Sequence, residues 1–131
     1  MASPLPVAGD IVRYSYLWRS EADRGRTEGS KDRPCAVVLA VLRANGLTRI
    51  VIAPVTHSAP TDPATAIEIP TATKARLGLD MDRSWIIVNE VNEFTWPGPD
   101  VRIVPHGSQA NPFIYGQLPV VLAKSVIQGV W

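Results

Sequence analysis

Between Cys35 and Val55 the chain carries two apolar runs, Cys35 to Leu42 and Ile50 to Val55, joined through Ala44-Asn45-Gly46. The first is apolar at consecutive rather than alternate positions, the pattern of a central strand covered on both faces. Asn-Gly between strand-like runs predicts a hairpin, because both residues tolerate the positive φ of a tight turn. Folding the arms together brings Arg33, just before the first, and Thr56, just after the second, to the same end. Pro54 removes a ladder donor, so the second arm is expected to bulge or stop there and free Thr56 to point out of the sheet.

Upstream, Asp10 to Trp18 alternates, with Val12, Tyr14, Tyr16 and Trp18 on one face and Ile11, Arg13, Ser15 and Leu17 on the other, which predicts a strand. Met1 to Ala8 shows little pattern and two prolines, and reads as a loose terminus. Arg19 to Asp32 holds nothing apolar larger than Ala22 and mixes Arg19, Arg24, Arg26 and Lys31 with acids. A polar loop of that length is usually functional or mobile, and a solvated connection without a role is the plain alternative.

Downstream, His57 to Ala66 reads as a loop and Ala66 to Pro70 as a short strand. Thr71 to Leu77 predicts one or two helical turns, with a threonine as N-cap and Gly78 as the stop. Arg83 to Val91 is strand-like and continues through Asn92 to Trp96, after which Pro97-Gly98-Pro99-Asp100 turns the chain into Val101 to Val104. His106 to Pro112 is a loop. Pro119 suits the first position of a C-terminal helix in which Val121, Leu122, Ser125, Val126 and Val130 recur at helical spacing. That helix has few charges, so cover on more than one side is expected. Together these elements predict a mainly β protein of α+β type: a small barrel or strongly curved antiparallel sheet with a C-terminal helix packed on it.

Composition narrows the partners. At 131 residues, 46% apolar and 19% charged, the chain reads as one domain spanning residues 1–131. A formal charge of +1 provides no global basic field, so any polyanion has to be held by a local patch. Cys35 is the one cysteine, sits in an apolar run and suits a reducing cytosol. No stretch approaches the roughly 18 apolar residues of a membrane span, and Met1 to Gly9 lacks a leader pattern, so a soluble cytoplasmic protein is expected. One cysteine with His57 and His106 far apart offers no zinc-ligand spacing, and no cofactor is expected. Asp80 and Asp82 resemble paired carboxylates but read as a solvated turn at a helix exit.

What remains is Arg33 and Thr56. Arginine is always charged, planar and able to donate two parallel hydrogen bonds to a phosphate. A threonine hydroxyl adds a donor toward a developing oxyanion. In RNA the ribose 2′-hydroxyl is a built-in nucleophile beside the scissile phosphate, so alignment and charge stabilisation are the core of what a protein must supply. Spacing leaves a plain alternative open, in which Arg33 pairs with Glu28 or Asp32 and Thr56 caps the loop.

A wider set of motifs bears on this choice: Gly9-Asp10-Ile11-Val12, Gly25 to Gly29 with Glu28, Arg33-Pro34, Pro54-Val55-Thr56, Ser84 to Val91 ending in Asn89-Glu90-Val91, Trp96, and the apolar C-terminal helix. In order and spacing they resemble the MazF and PemK (Kid) toxins of bacterial toxin-antitoxin systems, over about residues 8 to 130. The resemblance implies an SH3-like small barrel of antiparallel strands working as a homodimer. It further implies metal-independent cleavage of single-stranded RNA, often mRNA, to 2′,3′-cyclic phosphate and 5′-hydroxyl ends, with Arg33 and Thr56 as the catalytic pair. A cognate antitoxin that folds on binding would block the groove, and DNA would be touched only indirectly through it. Asn89 stands where the family commonly has an acid, and Ile87 where some members carry arginine, so acid-base groups of that strand are absent. An arginine with a pKa of about 12 or above is a poor base, which leaves Glu28, His57 and Glu90 as candidates for proton transfer and Ser58 as a neighbouring polar contact. Trp96 is a candidate to stack an unpaired base, or else a core or dimer-interface residue. The competing readings are a non-catalytic RNA- or peptide-binding barrel of the same fold and a purely structural homodimer.

Overall fold

The computed structural model describes residues 5–16, 32–105 and 112–130. Strands β1 (Asp10–Ser15), β2 (Asp32–Leu42) and β3 (Thr48–Thr56) are followed by a 3-10 turn at Pro63–Thr65 and by β4 (Ala66–Glu68). Helix α1 (Thr71–Leu77), strands β5 (Trp85–Ile87), β6 (Asn92–Thr95) and β7 (Ile114–Gln117), and helix α2 (Val120–Val130) complete the order. The strands run β4-β5-β3-β2-β1-β7 across one sheet, with β6 also on β3. Every pairing is antiparallel, and the sheet curls into a half-barrel. The mainly β fold with a C-terminal helix is therefore the one expected.

Period-two alternation sorts the side chains of the three long strands into two cores. Ile11, Ala36, Val38, Val51, Ala53 and Val55 face one way, toward Ile86, Val88 and α2. Val12, Tyr14, Tyr16, Cys35, Val37, Ile50 and Ile52 face the other, toward Phe94 and Trp96. A buried Val or Ile contributes about 1.5–3 kcal/mol relative to an exposed one, and a one-residue slip would exchange the two faces, so the register is strongly set. Ile11 pairs with Ala36, and Cys35 with Pro54. Between Val37 and Leu39 the partner advances by one residue only, which leaves Val38 as an extra residue in β2. A bulge of this kind bends its strand and increases twist, and so helps to curl the sheet.

Several local expectations need correction. The hairpin turn spans 43–47, with Arg43 N–H donating to Leu47 O at 2.8 Å, and only Gly46 takes a positive φ, 83°. Asn45 instead accepts the Leu47 N–H with its side chain at 3.0 Å. β3 neither bulges nor ends at Pro54. Its outer edge pairs with β6 through Arg49–Ile52 and then with β5 through Val55 and Thr56. A residue without an N–H is accommodated where that outer ladder is interrupted.

The strand expected from Arg83 through Trp96 breaks into β5 and β6, which serve different stretches of β3. Val101 to Val104 forms no strand, only a bridge from Val101 to Tyr14. β7 was not expected at all. α1 has Pro70 in the N-cap position and no side-chain cap, where a threonine was expected. Only Val126 of α2 is buried, and Val120 and Val121 are 70% and 78% exposed, so that helix is covered on one side. The loose-terminus reading fails at Pro6, whose side chain is fully buried, while Asp10 accepts the Val7 N–H at 2.9 Å. Residues 19–31 of the polar loop lie outside the described residues, and Asp32 already belongs to β2. Among the described residues no helix is long and apolar enough to cross a membrane.

Candidate functional site

The hairpin delivers Arg33 at the start of β2 and Thr56 at the end of β3 to one cleft of about 520 Å³. Arg33 donates Nη1–H to the Val55 carbonyl at 3.2 Å, which ties the guanidinium to the strand that ends in Thr56. Thr56 Oγ1 accepts the Ser58 N–H at 3.2 Å, so the threonine does cap its loop. A hydroxyl that accepts one hydrogen bond still has its own proton to donate. Capping and a role toward substrate are therefore compatible.

His57 and Ser58 line the same cleft, immediately beyond β3. The opposite wall comes from elsewhere in the chain. Thr56 pairs with Trp85, so the end of β3 lies beside the start of β5 and the residues just before it. Those residues form a tight arrangement with α1. Gly78 takes a left-handed φ of 72°, its N–H donates to Ala75 O at 3.2 Å, and the Leu79 N–H donates to Lys74 O at 3.0 Å. This Schellman ending reverses the chain and brings Asp80 back beside Lys74.

Lys74 is 4% exposed. Its ammonium donates to Asp80 Oδ1 at 2.5 Å, to Ser84 Oγ at 2.6 Å and to the main-chain oxygen of Asp82. Three acceptors match the three N–H bonds of an ammonium, which is how a buried lysine avoids an uncompensated charge. The other oxygen of Asp80, Oδ2, meets His57 Nε2 at 2.7 Å. Burial pushes the Asp80 carboxyl up, but the hydrogen bond and charge of Lys74, joined by His57, outweigh it and hold the group below the usual carboxylate range. Asp80 stays ionised at neutral pH.

Ligand atoms of His57, Asp80 and Asp82 lie within 4.8 Å of one another, close enough to gather around a divalent ion. The Lys74 ammonium already supplies the positive charge at Asp80, and a second cation there would meet its repulsion. The contacts shown are an ion-pair arrangement centred on Asp80, which meets both Lys74 and His57.

Asp32, also on the cleft wall, is shared by Arg13 Nη2 at 3.8 Å and Arg102 Nε at 3.5 Å. A second hollow of about 390 Å³ adjoins the cleft through Pro34, Leu79 and Asp80 and extends to Val104, Pro105 and Tyr115. Burial raises the Tyr115 hydroxyl above its ordinary range, with Arg13 acting in the opposite sense.

The remaining candidates among the described residues do not gather here. Trp96 is 8% exposed, packed against Phe94 and edge-on to Phe113 at 5.9 Å, so its ring belongs to the core rather than to a stacking platform. Glu90 is not among the residues lining the cleft, and its Oε2 is buried without a hydrogen-bond partner among the described residues. Ile87 lies in β5 opposite Ala66, and Asn89 is exposed in the bend that follows. Glu28 lies outside the described residues.

Sequence reasoning missed Lys74 and Ser84 and dismissed Asp80. The available signal was a lysine beside Thr73 and three residues before Leu77, on what becomes the inward face of α1, followed by Asp80-x-Asp82-x-Ser84. Compared with protein-family models, with curated proteins and with solved structures, the chain shows no match. The likeness to the toxin family rests on the motifs quoted above.

Proposed function

We propose that the cleft cleaves single-stranded RNA, and that the chain is a toxin-type endoribonuclease acting without a metal ion. The observation that carries this reading is the meeting of Arg33, Thr56 and His57 in one cleft, with a guanidinium, a hydroxyl and an imidazole converging from the two ends of a hairpin. In the reaction the 2′-oxygen loses its proton and bonds to phosphorus, the P–O5′ bond breaks, and the departing O5′ gains a proton. The products are a 2′,3′-cyclic phosphate and a 5′-hydroxyl, with no oxidant or water consumed. Arg33 binds the non-bridging phosphate oxygens, whose negative charge is greatest in the transition state. Thr56 donates a further hydrogen bond there, and the rigid hairpin holds both groups at constant separation.

The same reading assigns the chain an antitoxin partner that fills the cleft, a homodimeric state and a place in the cytoplasm. DNA enters only through the antitoxin. The test is incubation of purified protein with end-labelled single-stranded RNA in EDTA, followed by analysis of the product ends. Cleavage to cyclic phosphate that is lost in Arg33→Ala and in Thr56→Ala supports the reading. Cleavage that persists in both variants overturns the site. RNA left intact but bound with a steep salt dependence points to a non-catalytic binding barrel. Growth arrest on induced expression, relieved by co-expression of the neighbouring reading frame, tests the toxin role separately.

A further inference from the structure

We propose that His57 is the general base for the 2′-hydroxyl and that Asp80, braced by the buried ammonium of Lys74, is the positioning residue that fixes its tautomer. The inference rests on the ribonuclease reading above and names the base that reading leaves open. Asp80 has two carboxylate oxygens with different tasks: Oδ2 meets His57 Nε2 at 2.7 Å, and Oδ1 meets Lys74 Nζ at 2.5 Å. An ionised carboxylate only accepts hydrogen bonds, so Nε2 of a neutral His57 must carry the proton. Nδ1 is then the nitrogen with the lone pair, free to take a proton.

The brace behind Asp80 is what separates this from an ordinary surface pair. A half-exposed His–carboxylate contact alone is worth little. Lys74, however, is removed from water, and its remaining hydrogen bonds to Ser84 Oγ and the Asp82 carbonyl leave it no freedom to turn. A buried ion costs desolvation that an apolar side chain of the same length would not. That cost is matched here by a carboxylate held in one orientation toward a cleft histidine. Asp80 remains ionised across the neutral range, as its lowered pKa requires.

Other charged groups on the cleft wall fit the assignment. Arg33 is anchored to the Val55 carbonyl, and Asp32 is shared by Arg13 and Arg102, so neither acid-base role falls to them. In the step itself, Nδ1 accepts the 2′-hydroxyl proton as the O2′–P bond forms. The resulting imidazolium lies against Asp80, which stabilises its charge. The proton for the leaving O5′ comes from solvent or from the imidazolium in turn.

The test uses the Asp80→Asn variant, which keeps the shape. Lys74 demands the amide oxygen of the new side chain, so the amide NH2 faces His57 and Nε2 must become the acceptor. Nitrogen-15 NMR of the His57 ring is expected to show the Nε2–H tautomer in the wild-type protein and the Nδ1–H tautomer in Asp80→Asn. Cleavage of an end-labelled single-stranded oligoribonucleotide is expected to lose about 10²–10⁴-fold in kcat, the usual worth of a positioned base, with KM unchanged. In a His57→Ala background the same Asp80 change is expected to do nothing more, because both act through one ring.

A wild-type Nδ1–H tautomer, a tautomer unmoved by Asp80→Asn, or an equal loss of kcat in the His57→Ala background overturns the proposal. A thermal melt distinguishes a misfolded variant, and the wild-type tautomer decides the positioning claim in that case. If wild-type protein leaves RNA intact under all conditions, the ribonuclease reading fails and the base role with it. The NMR result then still reports separately whether Asp80 orients His57.

Discussion

Arg33 and Val55 are joined across the central hairpin by a hydrogen bond from Nη1 to the main-chain carbonyl at 3.2 Å. The guanidinium is thereby anchored to the strand that carries Thr56. A lysine has the charge but a single donor head, which cannot hold that carbonyl and grip a phosphate bidentately. Arg33→Lys is therefore expected to lower the RNA cleavage rate by about 10²–10³-fold, the effect of losing one positioned donor to an oxyanion. Single-turnover kinetics and an unchanged melting temperature together check it.

At Thr56 the hydroxyl has a structural partner in the Ser58 N–H at 3.2 Å and a proposed chemical one in the phosphate. Thr56→Ser preserves both, whereas Thr56→Val removes both while keeping the branched shape. Activity near wild type for the serine variant and a loss of about 10²-fold or more for valine are expected. Similar activity in the two variants would remove Thr56 from the mechanism.

Lys74 should matter for stability as well as for placement. Lys74→Met fills the same channel but removes the ammonium from Asp80 Oδ1 and Ser84 Oγ and leaves the Asp82 carbonyl with the longer hydrogen bond from Ser84 Oγ, at 3.4 Å. Losing charge-assisted hydrogen bonds at a buried site costs about 1–3 kcal/mol, so the denaturant midpoint should fall with an unchanged slope. A variant as stable as wild type would mean that the ammonium is held at no net gain.

Alkaline pH offers a further test through Tyr14. Burial, with the Asp100 carboxylate and Cys35 adding to it, pushes its hydroxyl up to about 12. Between pH 10 and 12 the folded protein keeps this proton while the unfolded chain releases it, so stability present below pH 10 is lost as pH rises. At 1.36 kcal/mol per unit the contribution is at most about 2–3 kcal/mol. Burial raises the Cys35 thiol in the same direction. Tyr14→Phe should flatten, without abolishing, the decline seen in urea titrations across that window.

Gly116 sits in β7 opposite Ile11 with φ of 148°, and a Cβ built there would lie 2.8 Å from Leu77 Cδ2. Gly116→Ala combines an unfavourable backbone region with a contact that forces Leu77, a core residue of α1, to move. A destabilisation of about 1–3 kcal/mol is expected, measurable as a shift in the unfolding midpoint.

Much of the β architecture was legible because its signals are local. Cys35 to Val38 is apolar at every position, and the structure buries alternate residues in two separate cores, as a doubly covered strand requires. Gly78 stops α1, and the apolar spacing after Pro119 does form a helix. β7 is not legible in this way, because Gly116 and the following Pro119 make the segment around Ile114 and Tyr115 resemble a connection. The exposed Val120 and Val121 show the converse error: an apolar side chain reports what a position tolerates, and burial also needs a neighbouring surface to face.

The hairpin, and through it the meeting of Arg33 with Thr56, follows from the order of residues alone, because strand period and turn chemistry act over a few neighbouring residues. What completes the cleft depends on how distant segments pack. Lys74 and Asp80 come to the end of β3 because Thr56 pairs with Trp85, and that pairing is made by main-chain N–H and C=O groups. Every strand carries those same groups, so the choice of partner strand is settled by how the cores pack. Trp96 shows the same limit, since the aromatic ring was legible but its burial against Phe94 and Phe113 follows from where β6 lies against β3.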